Sequence, residues 1–119
     1  MRALAVPLLL LAAVACSSDS TDNTPAATGD VSIVSGASTK GPNAFDPSPF
    51  TISLASKTTV KWVNDDGTTH SIVADGGLFA PSGNMGPNVT YQATFTTAGT
   101  YTYKCGIHPT MTGTIEVTP

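Results

Sequence analysis

Few residues of this 119-residue chain can bind a transition metal or form a disulfide. The sequence contains two histidines, His70 and His108, and two cysteines, Cys16 and Cys105. Of its three methionines, one is the initiator. A disulfide-rich scaffold and a site built from many imidazoles are therefore excluded, and any chemistry must come from a small set of groups.

Positive charge is also scarce. The chain has five basic and eight acidic residues, and its formal net charge is −3. Because the one arginine, Arg2, lies at the amino terminus, residues 16–119 carry only four lysines and a formal charge of −4. Nucleic-acid-binding domains neutralise phosphates with clustered lysines and arginines. We therefore expect no nucleic acid among the partners.

The amino-terminal segment has the pattern of an export signal. Arg2 is followed by an apolar run over residues 4–14, which is too short to span a bilayer and fits the core of a signal peptide. Small residues then precede Cys16, which resembles the lipobox of bacterial lipoproteins, where the cysteine is acylated. We predict a lipoprotein signal peptide at residues 1–15, a lipid on Cys16 and a membrane-anchored protein in the periplasm or at the cell surface. The alternative is a plain secretory signal in which Cys16 is incidental.

Residues 16–30 form the second predicted region. After Cys16 they contain Ser, Thr, Asp, Pro and other small residues but no large apolar side chain. Such a segment cannot bury enough surface to offset the chain entropy lost on folding. We interpret it as a flexible tether between the lipid and a single domain at residues 31–119, although a disordered segment without a role would have the same composition.

From residue 31 the sequence has the pattern of a β protein. Short runs alternate apolar and polar side chains, and turns rich in Gly, Asn and Asp separate them. No window of helical length has a 3.6-residue period. We predict an all-β, Greek-key β-sandwich of seven or eight half-buried antiparallel strands, with Trp62 and the tyrosines in its core. The alternating runs are 50–54, 60–62, 91–95, 101–105 and 115–117.

Cysteine, histidine and methionine occur at close spacing near the carboxyl end. Cys105, His108 and Met111 lie within seven residues, and His70 lies upstream. A lone thiol in an exported protein is best explained by a bound metal or a reactive role. Two imidazoles, one thiolate and a weak axial thioether are the ligands of a mononuclear copper centre for electron transfer. The chain contains that set once, and we expect two strand ends to bring it together at one pole of the sandwich.

Three motifs carry a family resemblance. They are Phe45-x-Pro, Val-Lys-Trp-Val-Asn at residues 60–64, and the stretch from Phe95 to Gly113 that contains Cys-x2-His-x2-Met. Together they resemble the small blue copper proteins (cupredoxins) of the plastocyanin and azurin family over essentially all of residues 31–119, and the ligand loop is most similar to that of amicyanin. The resemblance implies one type 1 copper ion that alternates between Cu(I) and Cu(II). The ligands that it implies are His70, Cys105, His108 and Met111.

Three further residues are predicted to support these ligands. Ser71 stands where plastocyanin has an asparagine whose hydrogen bonds stabilise the ligand loop. Asn64 is the last residue of the Val-Lys-Trp-Val-Asn motif. Ile107 stands where amicyanin has a proline, so it keeps a backbone N–H that we expect to point at the sulfur of Cys105. A hydrogen bond to the thiolate would stabilise Cu(I) over Cu(II) and raise the reduction potential.

The expected function is electron transfer by a monomer that shuttles single electrons between redox proteins. We expect no enzymatic activity, because no histidine remains for a second copper cluster and a cysteine hydrolase would need His108 as a base instead of a ligand. One alternative is a copper-handling protein, a chaperone or reservoir that transfers the metal itself. Another is a metal-free structural or adhesive sandwich. Purified protein can also carry zinc, since Cys and His bind it well.

The expected docking surface for redox partners is a small apolar patch around the exposed edge of the His108 ring. Weak redox encounters use small contact areas, so such a patch is sufficient. Its expected members are Gly83, Met85, Gly86, Pro87, Gly106, Ile107 and Pro109.

Overall fold

The computed structural model describes residues 26–119. Within this range eight β-strands form two four-stranded sheets, with three short 3-10 turns between strands. The strands are β1 (Val31–Ile33), β2 (Phe45–Asp46), β3 (Phe50–Ser53), β4 (Thr59–Asn64), β5 (Val73–Ala74), β6 (Thr90–Thr94), β7 (Gly99–Lys104) and β8 (Thr112–Thr118). The 3-10 turns are Ala37–Thr39, Gly41–Asn43 and Asp75–Gly77. The predicted signal peptide, the lipidation site Cys16 and the tether up to residue 25 lie outside the described residues.

One sheet has the strand order β2-β1-β4-β6 and the other has the order β3-β8-β7-β5. This architecture confirms the predicted all-β sandwich of seven or eight strands, and the number found is eight. The prediction that the strands are antiparallel is wrong for two pairs, because β1 runs parallel to β4 and β3 runs parallel to β8. In both pairs the chain visits the other sheet before it returns. Alternation indicates which face is buried but not the direction of the partner strand, so the sequence pattern could not reveal these pairings.

The core is an aromatic cluster between the two sheets. Trp62 on β4 stacks on Phe79 at a centroid distance of 5.8 Å and meets the edge of Tyr103, on β7, at 5.5 Å. Trp62 and Tyr103 are buried, whereas Tyr91 and Tyr101 are partly buried at the border of the cluster. The tryptophan and the tyrosines thus lie in or against the core, as the alternation predicts. None of them is a candidate metal ligand, so this packing does not depend on the site.

The segment before β1 contacts the domain through Asp30, the last residue of the predicted tether. Its backbone N–H donates to the carbonyl of Lys61 at 2.7 Å, and its carboxylate accepts from the Lys61 N–H at 2.9 Å. The same carboxylate lies 2.6 Å from Nζ of Lys57. Since that ion pair is partly exposed, the backbone contacts to β4 contribute more to holding Asp30 than the pair does. Among the described residues, no helix combines the length and the apolar character needed to cross a bilayer.

Alkaline pH is expected to destabilise the fold through Tyr103. Burial raises the pKa of its phenol above the usual value of 10.0, and its Oη has no hydrogen-bond partner among the described residues. Because the folded state keeps this proton more tightly than the unfolded state, the resulting stability is complete below a pH of about 10 and is lost as the pH rises further. The loss approaches about 1.4 kcal/mol per pH unit.

Tyr103→Phe tests this expectation by denaturant unfolding at neutral and alkaline pH. At neutral pH the free energy of unfolding should change by less than about 1 kcal/mol, because the hydroxyl makes no hydrogen bond. Above a pH of about 10 the variant should be more stable than the parent. Tyr101→Phe is the control, since that hydroxyl donates to the Thr97 carbonyl at the surface. Equal alkaline slopes for Tyr103→Phe and the parent would contradict the argument.

Candidate metal centre

Three donor atoms converge at one end of the sandwich. The ligand atoms of His70, Cys105 and His108 all lie within 4.8 Å of one another. Sγ of Cys105 lies 3.7 Å from Nδ1 of His70 and 3.9 Å from Nδ1 of His108, and the two nitrogens are 3.3 Å apart. Around a metal with bonds of about 2.0 Å to nitrogen and about 2.3 Å to sulfur, a trigonal plane has edges of roughly 3.5–3.8 Å. The donor triangle therefore has the size that a single metal ion needs.

The donors reach this point from two separate connections. His70 lies between β4 and β5 and forms a bridge with Met85, in which each backbone N–H donates to the other carbonyl, at 3.0 and 2.7 Å. Cys105 directly follows β7 and continues the inward face of Tyr103. Both donors are fully buried, whereas His108, in the connection from β7 to β8, is partly exposed. The site thus has two buried donors and one that reaches the surface.

Met111, the fourth predicted ligand, closes the same loop. Its carbonyl accepts from the N–H of Cys105 at 3.0 Å, and its N–H donates to the carbonyl of His108 at 3.0 Å. Its side chain is fully buried. These bonds place Met111 beside Cys105 at the base of the loop, and its role as the axial ligand stays a prediction.

Ser71 connects the two segments that carry the donors. Its Oγ accepts from the N–H of Gly106 at 2.9 Å, and its own N–H donates to Sγ of Cys105 at 3.4 Å. A Cβ at position 106 would lie 2.9 Å from that Oγ, so only glycine lets the loop come this close. A serine thus makes the contact between the histidine segment and the ligand loop at the position where plastocyanin has an asparagine.

Ile107 does not have the contact that the sequence suggested. Among the described residues, the backbone amide that donates to the cysteine sulfur is that of Ser71, and no hydrogen bond from the Ile107 amide to this sulfur is present. The side chain of Ile107 is 46% exposed. Ile107 therefore contributes apolar surface beside His108, and the hydrogen bond to the cysteine sulfur comes from the segment that carries His70.

Asn64 supports the histidine segment from behind. Its Nδ2 donates to the carbonyls of Thr68 at 2.8 Å and Met85 at 2.9 Å, and its Oδ1 accepts from the N–H of Asp66 at 2.9 Å. The side chain is fully buried and every one of these bonds is to backbone. Asn64 thereby fixes both the turn before His70 and the segment around Met85 that pairs with it.

Asp66 contacts a predicted ligand, and the sequence did not single it out. One of its carboxylate oxygens lies 2.7 Å from Nε2 of His70, and the other accepts from the N–H groups of Gly36 at 3.0 Å and Gly67 at 2.8 Å. The hydrogen bond with His70, followed by that from Gly36, lowers the pKa of Asp66, so the carboxylate is ionised at neutral pH. The signal in the sequence was a carboxylate four residues before a candidate ligand, but Asp-Asp-Gly also has the composition of a turn.

The donor set decides which metal the site suits. A soft thiolate with two imidazoles in a trigonal arrangement suits copper in both of its oxidation states. A structural zinc site closes its tetrahedron with four good donors, whereas this chain adds at most a thioether to the three. A donor triangle of this kind, placed at one end of an eight-stranded sandwich, defines the class of mononuclear blue copper proteins.

Comparison with known proteins agrees with this class. The model of the Cupredoxin-like domain family matches residues 6–117. Plastocyanin of Scenedesmus fuscus is 38% identical over 100 residues, which cover 74% of this chain and 99% of that protein. Amicyanin of Paracoccus denitrificans is 36% identical over 63 residues, which cover 50% of this chain and 48% of amicyanin. Among solved structures, the purple cupredoxin from Nitrosopumilus maritimus superposes with a TM-score of 0.66 at 26% identity, covering 74% of this chain and 97% of that one.

The chain belongs to the cupredoxin-like family. Copper is therefore its cofactor, and membership implies copper-based electron transfer. The curated relatives plastocyanin and amicyanin are electron-transfer proteins and not enzymes. The recognition made from three motifs in the sequence is confirmed.

Proposed function

We propose that the protein is a single-electron carrier whose copper ion is bound by His70, Cys105, His108 and Met111. The observation that carries the proposal is the triangle of two ring nitrogens and one sulfur, with edges of 3.3, 3.7 and 3.9 Å. Bound copper supplies the one-electron couple between Cu(II) and Cu(I). The chain is proposed to be no enzyme, because its two histidines are both used as ligands.

The surrounding residues suit electron transfer because they hold the donors in fixed positions. His70 is held by its bridge to Met85, and Cys105 is held by the N–H of Ser71 and by the carbonyl of Met111. Donors that cannot relax toward the preference of one oxidation state keep the reorganisation energy small. The partly exposed ring of His108 connects the buried sulfur with the surface, where a partner can approach.

A test must separate an electron carrier from a protein that hands over the metal itself. Copper-loaded protein is examined by voltammetry and then incubated with an excess of a copper chelator. An electron carrier should give a reversible one-electron wave and retain its copper through repeated oxidation and reduction. Rapid loss of copper to the chelator in the Cu(I) state, with an irreversible wave, would instead support a chaperone or reservoir.

We also propose that a lipid on Cys16 anchors the protein to a membrane through the 16–30 tether. The support is the pattern of small residues before this cysteine. Cys16 also has no cysteine left with which to form a disulfide if Cys105 binds copper. Two acyl chains would give a stable anchor, whereas one would not. Mass spectrometry of the mature amino terminus distinguishes acylated Cys16 from the product of plain signal-peptide cleavage.

The proposed docking surface surrounds the edge of the His108 ring. Ile107 is 46% exposed, and its neighbours Gly106 and Pro109 are exposed as well. Met85, which we expected on this surface, is 1% exposed, because its backbone pairs with His70 and its side chain packs inward. A charge meant to disturb docking therefore belongs at Ile107 and not at Met85.

Ile107→Lys is expected to slow electron self-exchange between the Cu(I) and Cu(II) proteins roughly ten-fold, because two docked copies would bury like charges against each other. The rate is measured by NMR line broadening in mixtures of the two forms, which needs no identified partner. Leu78→Lys is the matched control, because Leu78 is 63% exposed and is not a member of the proposed docking surface. Equal rates for the two variants would refute this surface.

A further inference from the structure

We propose that Asp66 is the positioning residue of the metal site: it holds the ring of His70 so that Nδ1 faces Cys105 and His108. This inference rests on the proposed function, since it concerns the same four ligands. Its basis is the contact of 2.7 Å between a carboxylate oxygen of Asp66 and Nε2 of His70. Both side chains are buried, at 7% and 0% exposure, so water does not compete for this bond.

The contact determines which nitrogen of His70 carries the proton. A neutral imidazole has one N–H donor and one nitrogen with a free lone pair. An ionised carboxylate only accepts hydrogen bonds, so Nε2 must be the donor in this pair. The lone pair then lies on Nδ1, which is the nitrogen found 3.7 Å from the cysteine sulfur. The ring is thus presented to a metal in the one tautomer that can bind it.

Asp66 can act in this way because it is itself held in place. Its second oxygen accepts from the amides of Gly36 and Gly67, and its own N–H donates to Oδ1 of Asn64. Asn64 donates in turn to the carbonyl of Met85, whose backbone pairs with His70. The hydrogen bonds therefore form a closed circuit that returns to the histidine.

The Gly36 contact extends this circuit to another part of the chain. Gly36 has a positive φ of 73°, a conformation that glycine adopts readily, and its amide points at the Asp66 carboxylate. The turn after β1 is thereby linked to the ligand histidine through a single carboxylate.

The charge of Asp66 has a second effect. A carboxylate that accepts from a ligand imidazole makes that imidazole a stronger donor and favours the more highly charged metal ion. Asp66 should therefore stabilise Cu(II) over Cu(I) and lower the reduction potential. Its neighbour Asp65 has the same charge but is exposed and accepts from the hydroxyl of Ser32, so it provides a matched comparison.

The experiment compares the full-length parent with Asp66→Ala, Asp66→Asn and Asp65→Asn. The tautomer of His70 is read from two-bond 1H–15N NMR spectra of the metal-free proteins, the affinity from Cu(II) competition titrations, and the potential from voltammetry. The parent should show a slowly exchanging Nε2–H. Asp66→Ala should lose that signal and bind Cu(II) about 10–100-fold more weakly. Asp66→Asn should have a higher potential, by a larger shift than Asp65→Asn.

Several outcomes would overturn the inference. They are an Nδ1–H tautomer in the metal-free parent, a Cu(II) affinity of Asp66→Ala within twofold of the parent, and equal potential shifts for Asp66→Asn and Asp65→Asn. If Asp66→Ala does not fold, the inference is still tested by the tautomer of His70 in the parent and by the potentials of Asp66→Asn and Asp65→Asn. Failure of the proposed function would give a different result. The parent would then bind no Cu(II) through its thiolate, whereas the tautomer of His70 could still be measured in the metal-free protein.

Discussion

Cys105→Ser is expected to abolish the intense visible absorption of the Cu(II)-loaded protein. That absorption arises from charge transfer between the thiolate and copper, and a serine hydroxyl is not ionised at neutral pH and is a far weaker donor. Cys105 is fully buried and supplies the one thiol of the donor triangle. The other sulfurs among the described residues are the thioethers of Met85 and Met111, which cannot form a thiolate. The measurement is the visible spectrum after addition of Cu(II).

The fold of this variant should survive. Serine is close to cysteine in size, and the aromatic core around Trp62 and Tyr103 does not include the ligands. Far-ultraviolet circular dichroism and thermal unfolding of the metal-free protein check this point. Cys16→Ser, which removes the chain's other cysteine, is the control and should keep the full absorption. An undiminished band in Cys105→Ser would exclude this thiolate as a ligand.

Gly113→Ala is expected to lower the stability by about 3 kcal/mol, or the melting temperature by roughly 10 °C or more. Gly113 on β8 pairs directly with Tyr103 on β7, and the Tyr103 ring lies over its Cα. A Cβ at this position would overlap the ring carbons, well inside van der Waals contact. The ring cannot move aside freely, because it packs on Phe45 at 4.8 Å and on Trp62 at 5.5 Å.

Thermal unfolding of the metal-free proteins measures this effect. Gly86→Ala is the matched control, because a Cβ at Gly86 would meet nothing within 4 Å. Its stability should stay within about 0.5 kcal/mol of the parent. If both glycine variants melted at the temperature of the parent, the close packing of Tyr103 over Gly113 would be wrong. The visible spectrum of copper-loaded Gly113→Ala shows in addition whether the substitution disturbs the metal site, since Gly113 lies two residues after Met111.

The fold class and the family could be predicted because both depend on local signals. Alternation marked the inward face of β4 and β7, and it placed Tyr103 and Cys105 on the same side. Composition pointed to His70 and His108, since the chain has no other histidine, and the Cys-x2-His-x2-Met resemblance added Cys105 and Met111. The parallel pairing of β1 with β4 could not be predicted, because it depends on the path of the chain between the sheets and not on any single strand.

The surroundings of the ligands were harder to predict, since they depend on contacts between distant segments. The amide that faces the cysteine sulfur belongs to Ser71, 34 residues away, and not to the nearby Ile107. Met85 lies among glycines and prolines, which favour a surface loop, yet its pairing with His70 buries it. Asp66 follows a second aspartate in a turn, and only the fold reveals which of the two reaches the histidine.

His70, Cys105 and His108 are proposed to bind one copper ion through a thiolate and two imidazoles. Titration of the metal-free parent with Cu(II), followed by visible absorption, tests this proposal most directly. We expect an intense thiolate-to-copper band that grows linearly and saturates at one equivalent of copper per chain. A colourless product, or a weak absorption that continues to rise beyond one equivalent, would contradict it.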